Sequence, residues 1–170
     1  ELQAKEFNIP LTNFLEHPII DITIDGADEV DPELNLIKGG GGALLKEKII
    51  AQASKKEIIM VDGSKLVNKL GEKWHVPIEV IPFAVGTEIN YLKSIGANKV
   101  DIRKTKSNEL FLTDENNVIL DANFGVIENP TELARKLGQR AGIVEHGLFI
   151  GMTSEVIVAS SDGIKILTNK

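Results

Sequence analysis

Residues 19–63 read IIDITIDGADEVDPELNLIKGGGGALLKEKIIAQASKKEIIMVDG. Isoleucine dominates 19–24 and returns in EIIMV at 57–61. Both runs are short and end at turn residues, the pattern of a buried strand. Between them, 43–54 reads as a helix that opens just after a run of glycines. Strand, helix, strand over so short a span predicts a parallel pair joined by a helical crossover, and hence an α/β fold. The connection after the first strand, DGADEVDPEL, is a turn-rich loop crowded with acids.

Working outward, VPIEVIPF carries Pro77 and Pro82 near its ends and predicts a strand. A helix is expected over 85–95 and a strand over 100–103. ELFLT and NVILDANF flank the turn residues 114–117 and predict a hairpin. Pro130 opens a helix to about 137, and 143–150 reads as one strand. Residues 77–149 therefore have the order βαββαβ, a split-βαβ or ferredoxin-like unit large enough to form its own lobe. A last hairpin, 156–159 with 164–167 around Ser161-Asp162-Gly163, is placed back on the first lobe. The expected division is an α/β core from 1–76 and 150–170 with a lobe at 77–149.

Composition narrows the function classes. The 170 residues hold 42% hydrophobic and 26% charged side chains, enough for a genuine core. Nineteen basic residues against 25 acidic give a net charge of -6, which disfavours nonspecific binding to nucleic acid or anionic membranes. An anionic ligand then needs a local site. There is no cysteine, so disulfides and thiolate metal sites are impossible, a reducing compartment is permitted and the cytoplasm is the default expectation. The apolar runs fall far short of the ~20 residues that span a bilayer. ELQAKEF at the start reads like the end of a helix rather than a secretion signal.

The glycines fail both nucleotide-loop tests. Lys46 is followed by Glu47 rather than Ser or Thr, and Leu44 stands where a dinucleotide fingerprint needs its third glycine. Their plain structural reading is a tight, backbone-close turn before the helix, which accounts for one or two glycines more readily than four. Asp25, Asp28, Glu29, Asp31 and Glu33 follow the C-terminal end of a parallel strand, where ligands bind in open α/β sheets; a solvated acidic loop is the competing reading. Their spacing is not that of a calcium-binding EF-hand. His17, His75 and His146 are isolated and offer no metal pair. Glu47 has apolar neighbours one turn away (Ala43, Leu44, Ile50, Ala51), so partial burial would raise its pKa toward that of a general base. Lys46 has similar neighbours, so periodicity alone does not separate the two. Lys65, in DGSK after the second strand, sits at the same sheet edge as a point charge for an anion. Taken with Lys38 ahead of the glycines, these groups suggest proton transfer on a small polyhydroxylated phosphate ester.

DGADEVDPELNLIKGGGGALLKEKI resembles the signature of the A-type ribose-5-phosphate isomerases, and DGSK, VPIEVIPFA, NVILD and GLFIG resemble that family's later blocks in order. The likeness runs from about Ile19 onward. It implies an open, mainly parallel Rossmann-like core sheet, part of it missing at the N-terminus, with a smaller ferredoxin-like α+β lobe. It implies interconversion of D-ribose 5-phosphate and D-ribulose 5-phosphate in the pentose phosphate pathway of carbohydrate metabolism by a homodimer or homotetramer without metal or organic cofactor. By the same resemblance Glu47 is the base and Asp25 and Asp28 are the loop aspartates. Lys38 is the loop lysine and Lys65 the phosphate-side lysine, while Gly26, Gly39, Gly40 and Gly41 line the sugar. A sugar-phosphate sensor of related fold stays open as an alternative, although it would not need Glu47 and Lys38 together; acyl transfer on a related fold would want a glutamate in a different context.

Members of the family carry, upstream of the stretch present here, a strand with a Gly/Thr/Ser-rich phosphate loop and a second Ser/Thr-rich loop. The 170 residues alone are therefore expected to turn over poorly or not at all, and a chain carrying those loops to be an isomerase. Ribulose 5-phosphate formation by both checks this; full activity of the shorter chain would show that the loops are dispensable.

Overall fold

The computed structural model describes residues 2–168. A short helix, α1 (Leu2–Glu6), precedes the first strand, β1 (Ile20–Asp25). The crossover helix α2 (Leu44–Ala53) leads directly into β4 (Ser54–Asp62), which pairs in parallel with β1. A closing hairpin, β10 (Glu155–Ser160) and β11 (Gly163–Thr168), joins the same sheet: β10 lies parallel to β4 and β11 antiparallel to β10. The order β1-β4-β10-β11 is thus the expected open, mainly parallel sheet with the final hairpin returned to it. Among the described residues no helix is long and apolar enough to cross a membrane.

The expectation that β1 is buried needs correction. Ile22 and Ile24 are 54% and 63% exposed, while Thr23 and Asp25 occupy the other face. Register explains this. Thr23 and Asp25 lie opposite Glu57 and Ile59, and Ile59 and Val61 lie opposite Val156 and Val158, so one side of the sheet carries the core and takes Asp25 with it. A period of two sends the isoleucines to the opposite side.

A second, three-stranded antiparallel sheet is not among the expected elements: β2 (Glu29–Val30), inside the acidic loop, pairs with β3 (Leu36–Ile37), and β3 pairs with β9 (Leu148–Phe149). It covers the inner face of the parallel sheet through Val30, Leu36 and Phe149. The third sheet is built from β5 (Val76–Val80), α3 (Val85–Ser94), β6 (Lys99–Ile102), β7 (Val118–Asn123), α4 (Pro130–Gly138) and β8 (Ile143–His146). Its strand order is β6-β7-β5-β8, with every neighbouring pair antiparallel, the ferredoxin-like arrangement. Leu92, Leu133 and Leu137 pack its helices onto Ile78, Val80 and Leu120.

Two details in this part differ from expectation. ELFLT is not a full hairpin partner of β7: it makes only the isolated bridges Lys104–Leu110 and Leu112–Val118, because β6 pairs with β7 from Leu120 to Asn123. The arm is instead pinned by buried Glu79, which accepts from Thr113 Oγ1 at 2.8 Å and Asn117 Nδ2 at 2.9 Å. The single strand expected over 143–150 breaks at Gly147 into β8 and β9, which belong to different sheets. A Cβ at Gly147 would lie 2.2 Å from the Lys38 carbonyl oxygen, so only glycine passes there. Gly147 donates to Pro77 O at 2.7 Å and accepts from Lys38 N at 2.9 Å, tying the antiparallel sheet to the strand that carries Lys38.

Beside this crossing Lys48 is buried. It donates to Glu145 Oε1 at 2.7 Å and His146 O at 2.5 Å, and lies 3.3 Å from His146 Nδ1. Burial, reinforced by the Lys48 charge, pushes the His146 pKa down from 6.5 to about 4. Between those values the unfolded chain binds the proton that the folded protein refuses, so stability is full above about 6.5 and is lost as pH falls toward 4. The loss approaches ~1.4 kcal/mol per pH unit. Denaturant unfolding at pH 7 and pH 5 should show it, and His146→Gln should flatten that slope; an equal slope in both proteins would place the acid sensitivity elsewhere.

Candidate active site

The C-terminal end of β1, the turn after β3 and the first turn of α2 converge on one lysine. Lys38 directly follows β3 and is 2% exposed. Its ammonium donates to Gly26 O at 2.5 Å and lies 3.0 Å from Asp25 Oδ2, 3.7 Å from Glu47 Oε2 and 5.5 Å from the centre of the Phe149 ring. A buried ammonium is tolerable only with such compensation.

Glu47 enters on the first turn of α2, where its carboxylate also faces the favourable end of the helix dipole. Its Oε2 is buried without a hydrogen-bond partner, and Lys38 sits just beyond hydrogen-bond reach. Burial raises the Glu47 pKa above the ordinary carboxylate range, Lys38 opposes the rise, and the negative charges of Asp25 and Asp28 add to it. Lys46, its neighbour in sequence, points away to Asp114 at 2.5 Å on the surface. The ambiguity between the two is thereby settled by tertiary packing.

The glycine run wraps the same space. Gly39 and Gly42 take φ of +96° and +90°, which side chains strongly disfavour. Gly40 donates its N–H to Asp28 Oδ2 at 2.8 Å, and a Cβ there would lie 2.8 Å from Asp28 Oδ1. A Cβ on Gly41 would meet nothing within 4 Å, because that residue borders open space. The resulting cleft of about 230 Å³ is lined by Asp25, Gly26, Ala27, Asp28, Lys38, Gly39, Gly40, Gly41 and Glu47. The site residues that the resemblance implies all meet there except Lys65, whereas Glu29, Asp31 and Glu33 of the acidic loop do not line it. Lys65 lies on a 3-10 turn (Gly63–Lys65) beside an adjoining cavity of about 380 Å³ that shares Gly26 and Ala27 with the first; its ammonium is 5.3 Å from the Trp74 ring centre.

Glu29 and Asp31 of the same loop are structural. Glu29 is wholly buried and accepts three backbone N–H groups, from Gly71, Lys73 and Trp74, at 2.6, 2.5 and 2.7 Å. Asp31 closes its own turn by accepting from Glu33 N and Asn35 N at 2.9 and 2.8 Å. Two other residues near the cleft were not singled out from the sequence. Glu57, buried on β4 on the same face as Asp25, has its pKa raised by burial, with Lys38 opposing. Arg103, just past β6, reaches the backbone carbonyls of Gly39 and Gly40. No local motif marks either one, since both come near the cleft only through sheet pairing and the packing of the antiparallel sheet.

Comparison with known proteins agrees with this geometry. The family model described as ribose 5-phosphate isomerase A (phosphoriboisomerase A) matches residues 1–163. The ribose-5-phosphate isomerase A of Desulfatibacillum aliphaticivorans is 56% identical over 162 residues, covering 95% of this chain and 70% of that protein. A solved D-ribose-5-phosphate isomerase in complex with phospho-erythronic acid superposes with a TM-score of 0.94 at 41% identity, over 98% of this chain and 73% of the other. The ribose 5-phosphate isomerase of Plasmodium falciparum gives 0.93 at 41% identity, over 99% and 74%. These relatives are isomerases, and the sensor alternative finds no support among them. With the fold, the cleft and matches that span nearly its whole length in agreement, the chain belongs to the ribose 5-phosphate isomerase A family of aldose–ketose isomerases.

Proposed function

We propose that this cleft interconverts D-ribose 5-phosphate and D-ribulose 5-phosphate with Glu47 as the single base. The observation that carries the assignment is the buried, unpartnered Oε2 of Glu47, 3.7 Å from the Lys38 ammonium and beside the glycine backbone. Glu47 takes the proton from C2 of the open-chain aldose. The C–H electrons form the C1–C2 double bond and the carbonyl electrons move to O1, giving an enediolate. Lys38 and the loop's N–H groups stabilise that charge as preorganised donors. Glu47 returns the proton to C1, while Asp28, held against Gly40, relays the hydroxyl proton between O2 and O1 and so leaves a carbonyl at C2. Asp25 assists opening of the furanose ring. The phosphate extends past Gly26 toward Lys65, which supplies a point charge. Both Glu47 and Lys38 are required by this chemistry, which is why burial of the base matters: it raises proton affinity toward the operating pH.

The lobe is taken as 77–149 and the catalytic core as 1–76 with 150–170. The protein is expected to act as a homodimer or homotetramer, as the family resemblance implies, and in the cytoplasm, the default for a chain without cysteine. The phospho-erythronic acid in complex with the solved relative is, by its chemistry, a phosphorylated sugar acid whose carboxylate imitates the enediolate; a ligand of that class should occupy this cleft.

Glu47→Gln keeps the shape and removes the base. It should lower kcat by about 10²- to 10⁴-fold while phospho-erythronic acid still binds; wild-type turnover would remove Glu47 from the role. The pH dependence has a defined sign. Activity needs ionised Glu47, so kcat/KM should fall as pH drops through its raised pKa. Lys38→Met removes the cation that holds this pKa down and should move the Glu47 titration to higher pH, whereas Asp25→Asn should move it to lower pH. Carbon-13 NMR of the Glu47 carboxyl reads both shifts, and like-signed shifts would contradict the electrostatic arrangement.

A further inference from the structure

Arg103 projects from the antiparallel sheet onto the outer side of the glycine loop. Its Nη1 donates to Gly39 O at 2.7 Å and to Gly40 O at 3.1 Å. The rest of the guanidinium is forked on Asp121 of β7: Nε donates to Oδ2 at 2.9 Å, and Nη2 pairs with Oδ1. The Phe111 ring centre lies 6.0 Å away. A guanidinium so gripped has one orientation, since its planar donors are fixed relative to each other.

The consequence follows from peptide geometry. In a trans peptide the C=O of one residue and the N–H of the next point to opposite sides. Pulling the Gly39 carbonyl outward therefore turns the Gly40 N–H inward, where it meets Asp28 Oδ2 at 2.8 Å. Pulling the Gly40 carbonyl outward does the same for the N–H of Gly41, the residue that borders open cleft. We infer that Arg103 is a positioning residue for the isomerisation, which fixes two consecutive peptides of the glycine loop so that the Gly40 N–H holds Asp28 and the Gly41 N–H faces the developing enediolate. Arg103 itself does not line the cleft, so it acts through the loop. Glycine is the residue least able to hold a conformation unaided, so a run of them needs an external clamp. Asp121 serves as the anchor of that clamp, and Phe111, against which a Cβ on Gly42 would collide at 2.4 Å, bounds the far end of the loop.

The inference rests on the reading of the cleft as the isomerase site, and the experiment separates the two. In the full-length enzyme Arg103→Met should lower kcat roughly 10- to 100-fold, with KM changed less than about threefold, because the lost term is transition-state positioning rather than substrate binding. Backbone amides of 39–42 should exchange with deuterium faster than in the wild type. Arg103→Lys, one donor in place of a fork, should fall between the two, and Asp121→Asn should shift kcat and loop exchange in the same direction. These two milder variants decide the matter if the methionine variant does not fold. Wild-type kcat in folded Arg103→Met, or a raised KM at unchanged kcat, or a lowered kcat with unchanged exchange of the loop, would overturn the inference. Full turnover by Glu47→Gln would instead sink the base assignment and leave an Arg103 effect on kcat standing.

Discussion

The structure depends on a lysine ammonium carried out of water. Lys38 has almost no exposed surface, yet its charge is answered from three directions: Asp25 and the Gly26 carbonyl at the end of β1, and Glu47 at the start of α2. A charge buried in this way costs several kcal/mol unless partners surround it. That demand fixes where the segments end. β1 must stop with Asp25 on the covered face, α2 must begin with Glu47 toward the same point, and the Lys38 backbone must meet Gly147 closely enough to exclude any side chain there. The parallel sheet, the small sheet and the antiparallel sheet are joined at the same place.

One cation among several carboxylates leaves an imbalance, and the imbalance has chemical use. Asp25 takes the short contact with Lys38, whereas Glu47 lies farther off with a buried oxygen and no hydrogen-bond donor. Glu47 and Glu57 both hold protons more tightly than an exposed carboxylate because burial outweighs what Lys38 contributes. The neighbouring acids Glu29 and Asp31 accept backbone N–H groups instead, which ties them to architecture. Residues of one type within one short loop thus serve different ends according to the donors that face them.

Much of this was legible in advance where information is local. The crossover between β1 and β4, the βαββαβ order and the closing hairpin follow from periodicity and turn residues, and the structure contains each. Failures arose where the outcome depends on what lies across a gap. Ile22 and Ile24 have the pattern of a buried strand, but alternation says which residues share a face and not which face is covered. Residues 143–150 look continuous because each half is apolar, and the break at Gly147 comes from two sheets that need the halves separately. Lys46 and Glu47 have equivalent helical neighbours, and only the position of Lys38 tells them apart.

The sequence by itself determined the α/β class, the βαββαβ order, the family and the set of polar residues from which a proton-transfer site could be made. These are matters of period, turn chemistry and motif, carried by residues near one another in the chain. Tertiary structure alone decided that Lys38 is buried, that one Glu47 oxygen lacks a donor, and that Arg103, 63 residues beyond Gly40, grips the glycine carbonyls. The physical reason is that electrostatic environment and peptide orientation are set by groups close in space, and folding brings those groups together from parts of the chain that carry no sign of one another.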